Sequence, residues 1–398
     1  MSKIELFPHQ KEALGKMGYG SILFGGTGSG KSLTALAFYY QTVLGGSLDK
    51  FNEPPRTRKL YVITTPRKRD DEDWIREASR LPIPPPTVID SWNNVQKYKN
   101  VTDAFFIFDE HRVIGSGKWA RAFIKIAKRN LWVILSATPA DTWKDLATVF
   151  IARGYFRSRS EFNRKHVIFA PYVKYPAIRG YIGVPYLKAL RDEIYVVMGN
   201  ENNRTIHRES IFVEHYDDRL REFKKTQWNW EKDAPVKSFP EYAYLRRILV
   251  IMHPDRFSKA VELFEKHKKI ILFYNYNKEL DGLKNVFTPI TTVSEYNGHS
   301  HDPIPTSEEW VYLVHYSSSE GWECFDTDTI VFFSSNPSYR TTIQAMGRIN
   351  RLTTKYTDLY YYWLMSKSEI DVKIRRQFNK KRSFNLDSLK VQFKPPRE

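Results

Sequence analysis

A glycine-rich stretch near the beginning of the chain has the residue types that bind phosphate groups. It lies between an apolar run at 21–24 and a helix-like run at 33–40, which predicts a strand, a loop and a helix in that order. Glycines let the backbone turn its N–H groups toward phosphate oxygens. Lys31 supplies a charge for the β- and γ-phosphates, and the Ser32 hydroxyl can ligate Mg²⁺. The stretch, called the phosphate loop below, consists of Gly25, Gly26, Thr27, Gly28, Ser29, Gly30, Lys31 and Ser32.

Two adjacent acidic residues, Asp109 and Glu110, follow a second apolar run at 104–108. At the end of a strand, Asp109 is expected to reach Mg²⁺ directly or through water, and Glu110 to orient or deprotonate an attacking water molecule. An acidic turn between a strand and a loop, without chemistry, is the alternative interpretation. The phosphate loop upstream favours the chemical one.

Three polar residues in the second half of the chain, Gln344, Arg348 and Arg351, are spaced i, i+4 and i+7. This spacing predicts one face of a helix, and two guanidinium groups presented together suit the γ-phosphate of a transition state. A solvated, Arg-rich helix is the usual alternative. Gly347 favours the first interpretation, because a glycine inside a helix costs about 1 kcal/mol relative to alanine and is better explained by close approach to a ligand.

Weaker signals come from Gln10, Ser136 and Thr138. Gln10 precedes the phosphate loop, and its amide can both donate to and accept from an adenine edge. Ser136 and Thr138 follow the apolar run at 131–135, where hydroxyl residues could pass a change at the γ-phosphate to a neighbouring domain. Both patterns are common elsewhere, so their interpretation depends on the phosphate loop.

Near-continuous apolar runs separated by helical or loop stretches are typical of buried parallel sheets, whose ligands bind beyond the carboxyl ends of the strands. The motif residues fall at those ends. Two sets of five runs predict an α/β fold with two tandem units, of which only the first has a phosphate loop. The runs are 21–24, 59–65, 87–90, 104–109 and 131–136, then 269–274, 291–294, 310–315, 329–333 and 359–364.

The segment between the two sets is rich in Arg, Lys, Tyr and Phe and has only one strand-like run, at 211–214. We therefore expect residues 1–145 to form a first lobe and residues 146–260 a mainly helical, basic extension and linker. Residues 261–398 are expected to form a second lobe with a basic tail.

Composition limits the function classes. The 398 residues carry a formal net charge of +17, which favours a polyanionic partner. Aromatic residues make up 15% of the chain, and although some could stack on unpaired bases, most are expected in the core. The single cysteine, Cys324, excludes an internal disulfide and a cysteine-based metal site. No apolar run approaches the roughly 18 residues that cross a bilayer, so we expect no membrane contact and a cytoplasmic location.

Taken together, these residues resemble the motifs of the superfamily 2 helicases (DExD/H-type) in order and spacing. Within that superfamily the chain most resembles compact phage-encoded members related to the chromatin-remodeller and branch-migration ATPases. Residues 74–77, residues 320–323 and the Gln-x-x-Gly-Arg-x-x-Arg pattern carry this closer resemblance. The motifs are Gln10, the phosphate loop, 64–66, 109–110, 136–138, 319–321 and 344–351.

The resemblance implies two RecA-like lobes with ATP in the cleft between them. It implies that Lys31 and Ser32 hold the phosphates and Mg²⁺, Asp109 the metal and Glu110 the water, and that Ser136 and Thr138 couple the lobes. Arg348 and Arg351 would act as arginine fingers beside Gln344, and Glu320 and Gly321 would join the nucleotide site. His111 departs from the family pattern by one position, which leaves its role open. Residues at motif positions that touch nucleic acid are Thr65, Arg67, Ser91, Trp92, Asn275 and Ser317.

The resulting expectation is an ATP-dependent DNA helicase or translocase acting in phage replication, recombination or repair, with ATP and Mg²⁺ as cofactors. Its partner would be single-stranded DNA or forked or branched duplex DNA, with other replication or recombination proteins as further partners, in the cytoplasm of a bacterial host. An RNA helicase is one alternative, disfavoured because Gln344 stands where DEAD-box RNA helicases usually have His. A nucleic-acid-binding clamp with a weak ATPase is the other, and the intact catalytic set argues against it.

Overall fold

The computed structural model describes residues 4–26, 28–110, 112–113, 115–171, 177–199, 204–319, 322–351 and 354–390, with side chains to residue 381. The chain divides into two compact units, residues 1–201 with 381–398 and residues 202–380. Among the helices of the described part, none is long and apolar enough to cross a membrane.

The first unit is built on a six-stranded sheet whose neighbouring strands are all parallel, in the order β3-β2-β4-β5-β1-β8. A separate antiparallel hairpin is formed by β6 and β7. The strands are β1 (Ile22–Gly25), β2 (Lys59–Thr64), β3 (Val88–Ser91), β4 (Ala104–Asp109), β5 (Leu131–Ser136), β6 (Val167–Phe169), β7 (Ile178–Tyr181) and β8 (Tyr195–Met198). The helices are α1 (Pro8–Lys16), α2 (Lys31–Phe38), α3 (Pro66–Asp70), α4 (Asp73–Ala78), α5 (Lys118–Ala127), α6 (Trp143–Ala152), α7 (Arg159–His166) and α8 (Val184–Ile194).

Strand β4 shows why the central strands have continuous apolar sequences. Every residue of β4 is buried, and alternate side chains point to opposite faces of the sheet. Phe106 and Phe108 belong to one core with Phe123 of α5. Phe105 and Ile107 belong to the core on the other face, which includes α2. Helices on both faces leave no solvated side for polar residues.

The second unit repeats this architecture with a parallel six-stranded sheet in the order β13-β14-β12-β15-β16-β9. Ile270 and Leu272 of its central strand pack into one core, and Ile271 and Phe273 into the core on the opposite face. Its strands are β9 (Thr205–Phe212), β10 (Trp228–Asn229), β11 (Ala234–Pro235), β12 (Lys269–Tyr274), β13 (Thr292–Tyr296), β14 (Trp310–His315), β15 (Thr329–Phe332) and β16 (Asp358–Met365). The helices are α9 (Asp217–Thr226), α10 (Phe239–Ile251), α11 (Pro254–His267), α12 (Asn277–Phe287), α13 (Tyr339–Met346) and α14 (Glu369–Lys390).

The α/β fold with two parallel sheets is confirmed, and so are the five strands predicted in each half. Each sheet also has an edge strand, β8 or β9, that comes from the segment predicted as a mainly helical extension. The strand-like run at 211–214 overlaps only the end of β9, because His207, Arg208 and Glu209 occupy its exposed middle and interrupt the apolar pattern. The division of the chain at 145 and 260 stays a prediction.

Candidate nucleotide-binding site

The phosphate loop connects β1 to α2, the order of elements that its sequence predicts. Gly28 and Gly30 have φ angles of 77° and 80°, in the left-handed region that favours glycine. The Lys31 ammonium donates to the carbonyl oxygens of Gly25 at 2.9 Å and Gly26 at 2.6 Å. The lysine therefore lies folded over the loop, at the place where phosphate oxygens are expected. Thr27 lies outside the described residues.

Helix α1 packs against the phosphate loop through two buried polar side chains. His9 Nε2 is 3.2 Å from the carbonyl oxygen of Ser29, and Gln10 Nε2 donates to the carbonyl oxygen of Gly30 at 3.4 Å. The side-chain Oε1 of Gln10 accepts the backbone N–H of Phe7 at 2.9 Å. Gln10 thus supports the loop directly, and its predicted contact with an adenine base stays a prediction.

Asp109 ends β4 and is almost completely buried, at 3% exposure. Its Oδ2 accepts the Thr64 hydroxyl at 2.7 Å and the Lys68 ammonium at 2.8 Å. Burial would raise the pKa of the Asp109 carboxyl, but the charge and hydrogen bond of Lys68, the Thr64 hydroxyl and the charge of Lys31 together hold it below its usual range. Asp109 is therefore held as a carboxylate.

The donor groups at this site suit a magnesium ion. Mg²⁺ prefers oxygen ligands, and the site offers the Asp109 carboxylate and the Ser32 hydroxyl in the first turn of α2. The Lys68 ammonium already places a cation against Asp109 Oδ2. This carboxylate oxygen is thus arranged to accept a positive charge. Sequence reasoning did not assign this role to Lys68, because its partner is 41 residues away in the chain.

Glu110 follows Asp109 with a φ of 63°, which is uncommon for a residue other than glycine. Such a backbone costs on the order of 1–3 kcal/mol, and residues strained in this way cluster at functional sites. The turn is supported by Trp92, whose indole N–H donates to the Asp109 carbonyl oxygen at 2.9 Å and whose ring stacks on Phe108. His111 lies outside the described residues.

Ser136 lies between the phosphate loop and Asp109 in the sheet. β5 separates β4 from β1, with Ser136 beside Phe24 and Leu135 beside Asp109. The Ser136 hydroxyl oxygen accepts the backbone N–H of Thr138 at 3.1 Å. Within the described part of the chain, the buried Thr138 hydroxyl has no hydrogen-bond partner. These positions fit the predicted coupling role, which stays a prediction.

The residues predicted to touch nucleic acid in the first unit are engaged within the unit. Thr65 caps α3, with its hydroxyl oxygen 3.5 Å from the backbone nitrogen of Lys68. Arg67 is paired with Asp71 at 3.2 Å. Ser91 and Trp92 are buried, at 2% and 3% exposure, so Trp92 acts here as the support of Asp109.

Helix α13 is shorter than its sequence pattern predicts. It ends at Met346, with Gly347 as its C-cap, so only Gln344 of the three predicted residues is helical. The prediction that Arg348 and Arg351 lie on one helical face with Gln344 is wrong. Gly347 is the C-cap residue at which the helix ends, with a φ of −69° in the right-handed region.

Arg348 and Arg351 are both in contact with the segment at residues 322–323. Arg348 is 6% exposed, and it donates through Nε to the carbonyl oxygen of Gln344 at 3.0 Å and through Nη1 to that of Trp322 at 2.6 Å. Arg351 forms an ion pair with Glu323 at 3.1 Å. Glu320 and Gly321, the predicted nucleotide contacts of this segment, lie outside the described residues.

Asn275 lies in a polar network at the carboxyl end of the second sheet. Its amide nitrogen donates to the Ser334 hydroxyl at 2.7 Å, and its amide oxygen accepts from Asn336 at 2.9 Å. Ser317, in contrast, is exposed, with its hydroxyl 2.7 Å from His315 Nδ1. Of the two residues predicted to touch nucleic acid here, Ser317 is the one that faces solvent.

The Asn275 network contains a buried carboxyl that sequence reasoning missed. Glu279 is fully buried and accepts the Ser334 hydroxyl at 2.7 Å and the backbone N–H of Asn275 at 3.3 Å. Burial raises its pKa to about 7, opposed by the Ser334 hydrogen bond and the charges of Arg247 and Arg256. In the sequence, Glu279 looks like an ordinary acid in the first turn of a helix.

No protein-family model and no curated protein sequence matches the chain. Among solved structures, the Pyrococcus furiosus Hef helicase domain is similar over 93% of this chain and 97% of its own, with a TM-score of 0.52 and 14% identity. The Sulfolobus solfataricus SWI2/SNF2 ATPase core in complex with dsDNA is similar over 98% of this chain and 94% of its own, with a TM-score of 0.43 and 16% identity. With its two six-stranded parallel sheets, the chain shares its fold of two tandem RecA-like lobes with the Hef helicase domain.

Proposed function

We propose that this chain is a nucleic-acid-stimulated ATPase that acts as an ATP-dependent DNA helicase or translocase. The observation that carries the proposal is the pairing of a phosphate loop with a buried carboxylate on one sheet. Asp109 lies two strands from the loop, at the same carboxyl edge, and feels the charge of Lys31. Nucleotide hydrolysis needs these two groups together, one for the phosphates and one for the metal.

In this proposal Lys31 exchanges its contacts with the loop carbonyls for contacts with phosphate oxygens. Ser32 and Asp109 would hold Mg²⁺, which when bound neutralises charge on the β- and γ-phosphates. Glu110 would orient the attacking water or accept its proton. The loop glycines would let backbone N–H groups face the phosphates.

Arg348 and Arg351 are assigned the role of arginine fingers. A guanidinium is always charged and presents several donors in a fixed plane, which suits the charge that develops on a transferred phosphoryl group. Hydrogen bonds to the carbonyl oxygens of Gln344 and Trp322 hold the Arg348 side chain in place. Gln344, in the preceding turn, would complete this set.

DNA is proposed as the partner because the chain has a net charge of +17 and because the resemblance of its motifs favours DNA over RNA. Contacts to the backbone would make binding largely independent of sequence. A role in phage replication, recombination or repair belongs to the same proposal.

The test is ATP hydrolysis measured with single-stranded DNA, duplex DNA, forked DNA and RNA in parallel, followed by an unwinding assay on the best activator. Lys31→Ala and Arg348→Ala are each expected to lower stimulated hydrolysis by orders of magnitude while nucleic acid still binds. Lys16→Ala and Arg375→Ala, at exposed positions, are the matched controls. Normal hydrolysis by Arg348→Ala would contradict its role as a finger. Stimulation by RNA alone would indicate an RNA helicase, and binding without hydrolysis a clamp.

A further inference from the structure

A small hairpin in the second unit exposes large aromatic side chains. Strands β10 and β11 form it between α9 and α10, with Trp228 opposite Pro235. Trp228 and Trp230 are 43% and 42% exposed, and Phe239, at the start of α10, is 79% exposed. Aromatic side chains dominate cores, and an exposed apolar patch rimmed by polar residues marks an interaction site.

The side chain of Asn229 stabilises the hairpin. Asn229 lies between the two tryptophans in the sequence and is 2% exposed. Its amide oxygen accepts the backbone N–H groups of Glu231 at 2.9 Å and Lys232 at 3.2 Å, and its nitrogen donates to Glu241 at 2.7 Å. Hydrogen bonds lower the pKa of Glu241 to about 2, and the one from the Lys232 side chain has the largest effect. A surface fixed in this way loses little conformational freedom when it binds.

The position of the hairpin relates it to the predicted nucleic-acid contacts of the second sheet. Glu231 forms an ion pair with Lys278 in the first turn of α12, just beyond the carboxyl end of β12. Tyr244 of α10 packs edge-on against Tyr276 at 5.4 Å between ring centroids. The hairpin therefore lies at the edge of the sheet that also carries Asn275 and the exposed Ser317.

Two lysines add positive charge beside the aromatic residues. Lys225 and Lys237 flank them and are exposed, and neither ammonium has an acidic partner within the part of the chain that the structure describes. Of the nearby acids, Glu231 and Glu241 are paired with lysines, and Asp233 accepts the indole N–H of Trp228 at 3.2 Å. Unpaired nucleobases stack on aromatic rings while lysines attract their phosphates, a combination that duplex DNA, with its bases already stacked, does not offer.

We propose that Trp228, Trp230 and Phe239 form a base-stacking platform for single-stranded nucleic acid. The proposal rests on the proposed function and deepens it, since it makes the second unit select an unpaired strand by its bases. A flat protein surface is the competing occupant. It is disfavoured by the two unpaired lysines and by the position beside predicted nucleic-acid contacts.

The test compares two labelled probes of equal length, an oligo-dT strand and an abasic strand with the same phosphates, by fluorescence anisotropy on the full chain. The double variant Trp228→Leu with Trp230→Leu keeps apolar volume against Phe223 but removes the stacking rings. We expect it to bind oligo-dT at least about tenfold more weakly, since each stacked base contributes on the order of a fivefold change in Kd or more, and to bind the abasic strand as the unchanged chain does. Trp228→Phe with Trp230→Phe should recover most of the loss.

Phe325→Ala is the matched control, because Phe325 is also an exposed aromatic residue, at 41% exposure. The next residue, Asp326, forms an ion pair with Lys269 at the start of β12, so Phe325 lies at the opposite end of the same sheet. Equal affinity of the leucine variant and the unchanged chain for oligo-dT would overturn the platform. An equal loss on both probes would also overturn it, because only charge would then be involved. If the unchanged chain bound neither probe, the proposed function itself would be contradicted.

Discussion

The buried carboxyl of Glu279 predicts an unusual dependence of stability on pH. Its pKa is raised from 4.5 to about 7 by burial, which the Ser334 hydroxyl and the charges of Arg247 and Arg256 only partly oppose. Folding therefore favours the protonated carboxyl. This contribution is fully present below about pH 4.5 and is lost as the pH rises through about 7.

The size of the effect follows from the two pKa values. The difference between 4.5 and about 7 corresponds to about 3 kcal/mol at 1.36 kcal/mol for each pKa unit. Most of it should develop between about pH 5 and pH 8. Glu279→Gln removes the ionisation and keeps a carbonyl oxygen for the Asn275 N–H, while its NH₂ group donates to the Ser334 hydroxyl oxygen, which reverses that hydrogen bond at both pH values.

The assay is urea denaturation of both forms at about pH 5 and pH 8. We expect the free energy of unfolding of the unchanged chain to fall by about 2–3 kcal/mol more than that of Glu279→Gln over this interval. Asp281→Asn, at an exposed carboxyl two residues further along α12, is the control and should keep the full dependence. If Glu279→Gln lost as much stability as the unchanged chain, Glu279 would not be the titrating group and the reasoning from burial would be refuted.

Three further predictions concern the first unit. Gly30→Ala places a Cβ 2.1 Å from Gln10 Nε2 at a φ of +80°, so the Kd for ATP, measured by calorimetry, should rise by about tenfold. Gly15→Ala, which has open space around it, should leave this Kd unchanged. Lys68→Met removes the ammonium that competes for Asp109, so the Mg²⁺ concentration giving half-maximal hydrolysis should fall roughly twofold to fivefold; an unchanged requirement would show that Lys68 does not compete. Trp92→Phe removes one hydrogen bond to the Asp109 carbonyl oxygen, so it should lower the free energy of unfolding by about 1 kcal/mol. It should also slow ATP hydrolysis without changing nucleic-acid affinity. Weaker nucleic-acid binding with normal hydrolysis would instead make Trp92 a nucleic-acid contact.

The buried strands were predictable because both of their faces are covered. A strand such as β4 must be apolar throughout, and that run of residues is visible without any knowledge of its neighbours. The phosphate loop was equally predictable, since its glycines are required by local backbone geometry at Gly28 and Gly30.

What the sequence did not reveal depends on contacts between distant residues. β9 is an exposed edge strand paired with β16, so only its last residues belong to an apolar run. The position of Arg348 is set by the carbonyl oxygen of Trp322, not by a continuing helix. Lys68 and Glu279 gain their importance from partners far away in the chain, and local spacing says nothing about such partners.

The ion pair between Lys68 and Asp109 links α3 to the proposed metal site. Thr65 caps this helix and Arg67 lies within it, and both are predicted nucleic-acid contacts. A cation that takes the place of the ammonium at Asp109 releases Lys68 on that same helix. Linkage between two binding sites is reciprocal. If release of Lys68 increases the affinity of α3 for a nucleic-acid strand by some factor, the bound nucleic acid must increase the affinity of Asp109 for the cation by the same factor. Replacing Lys68 by a cation at Asp109 would then be enough to couple cation binding to nucleic-acid binding.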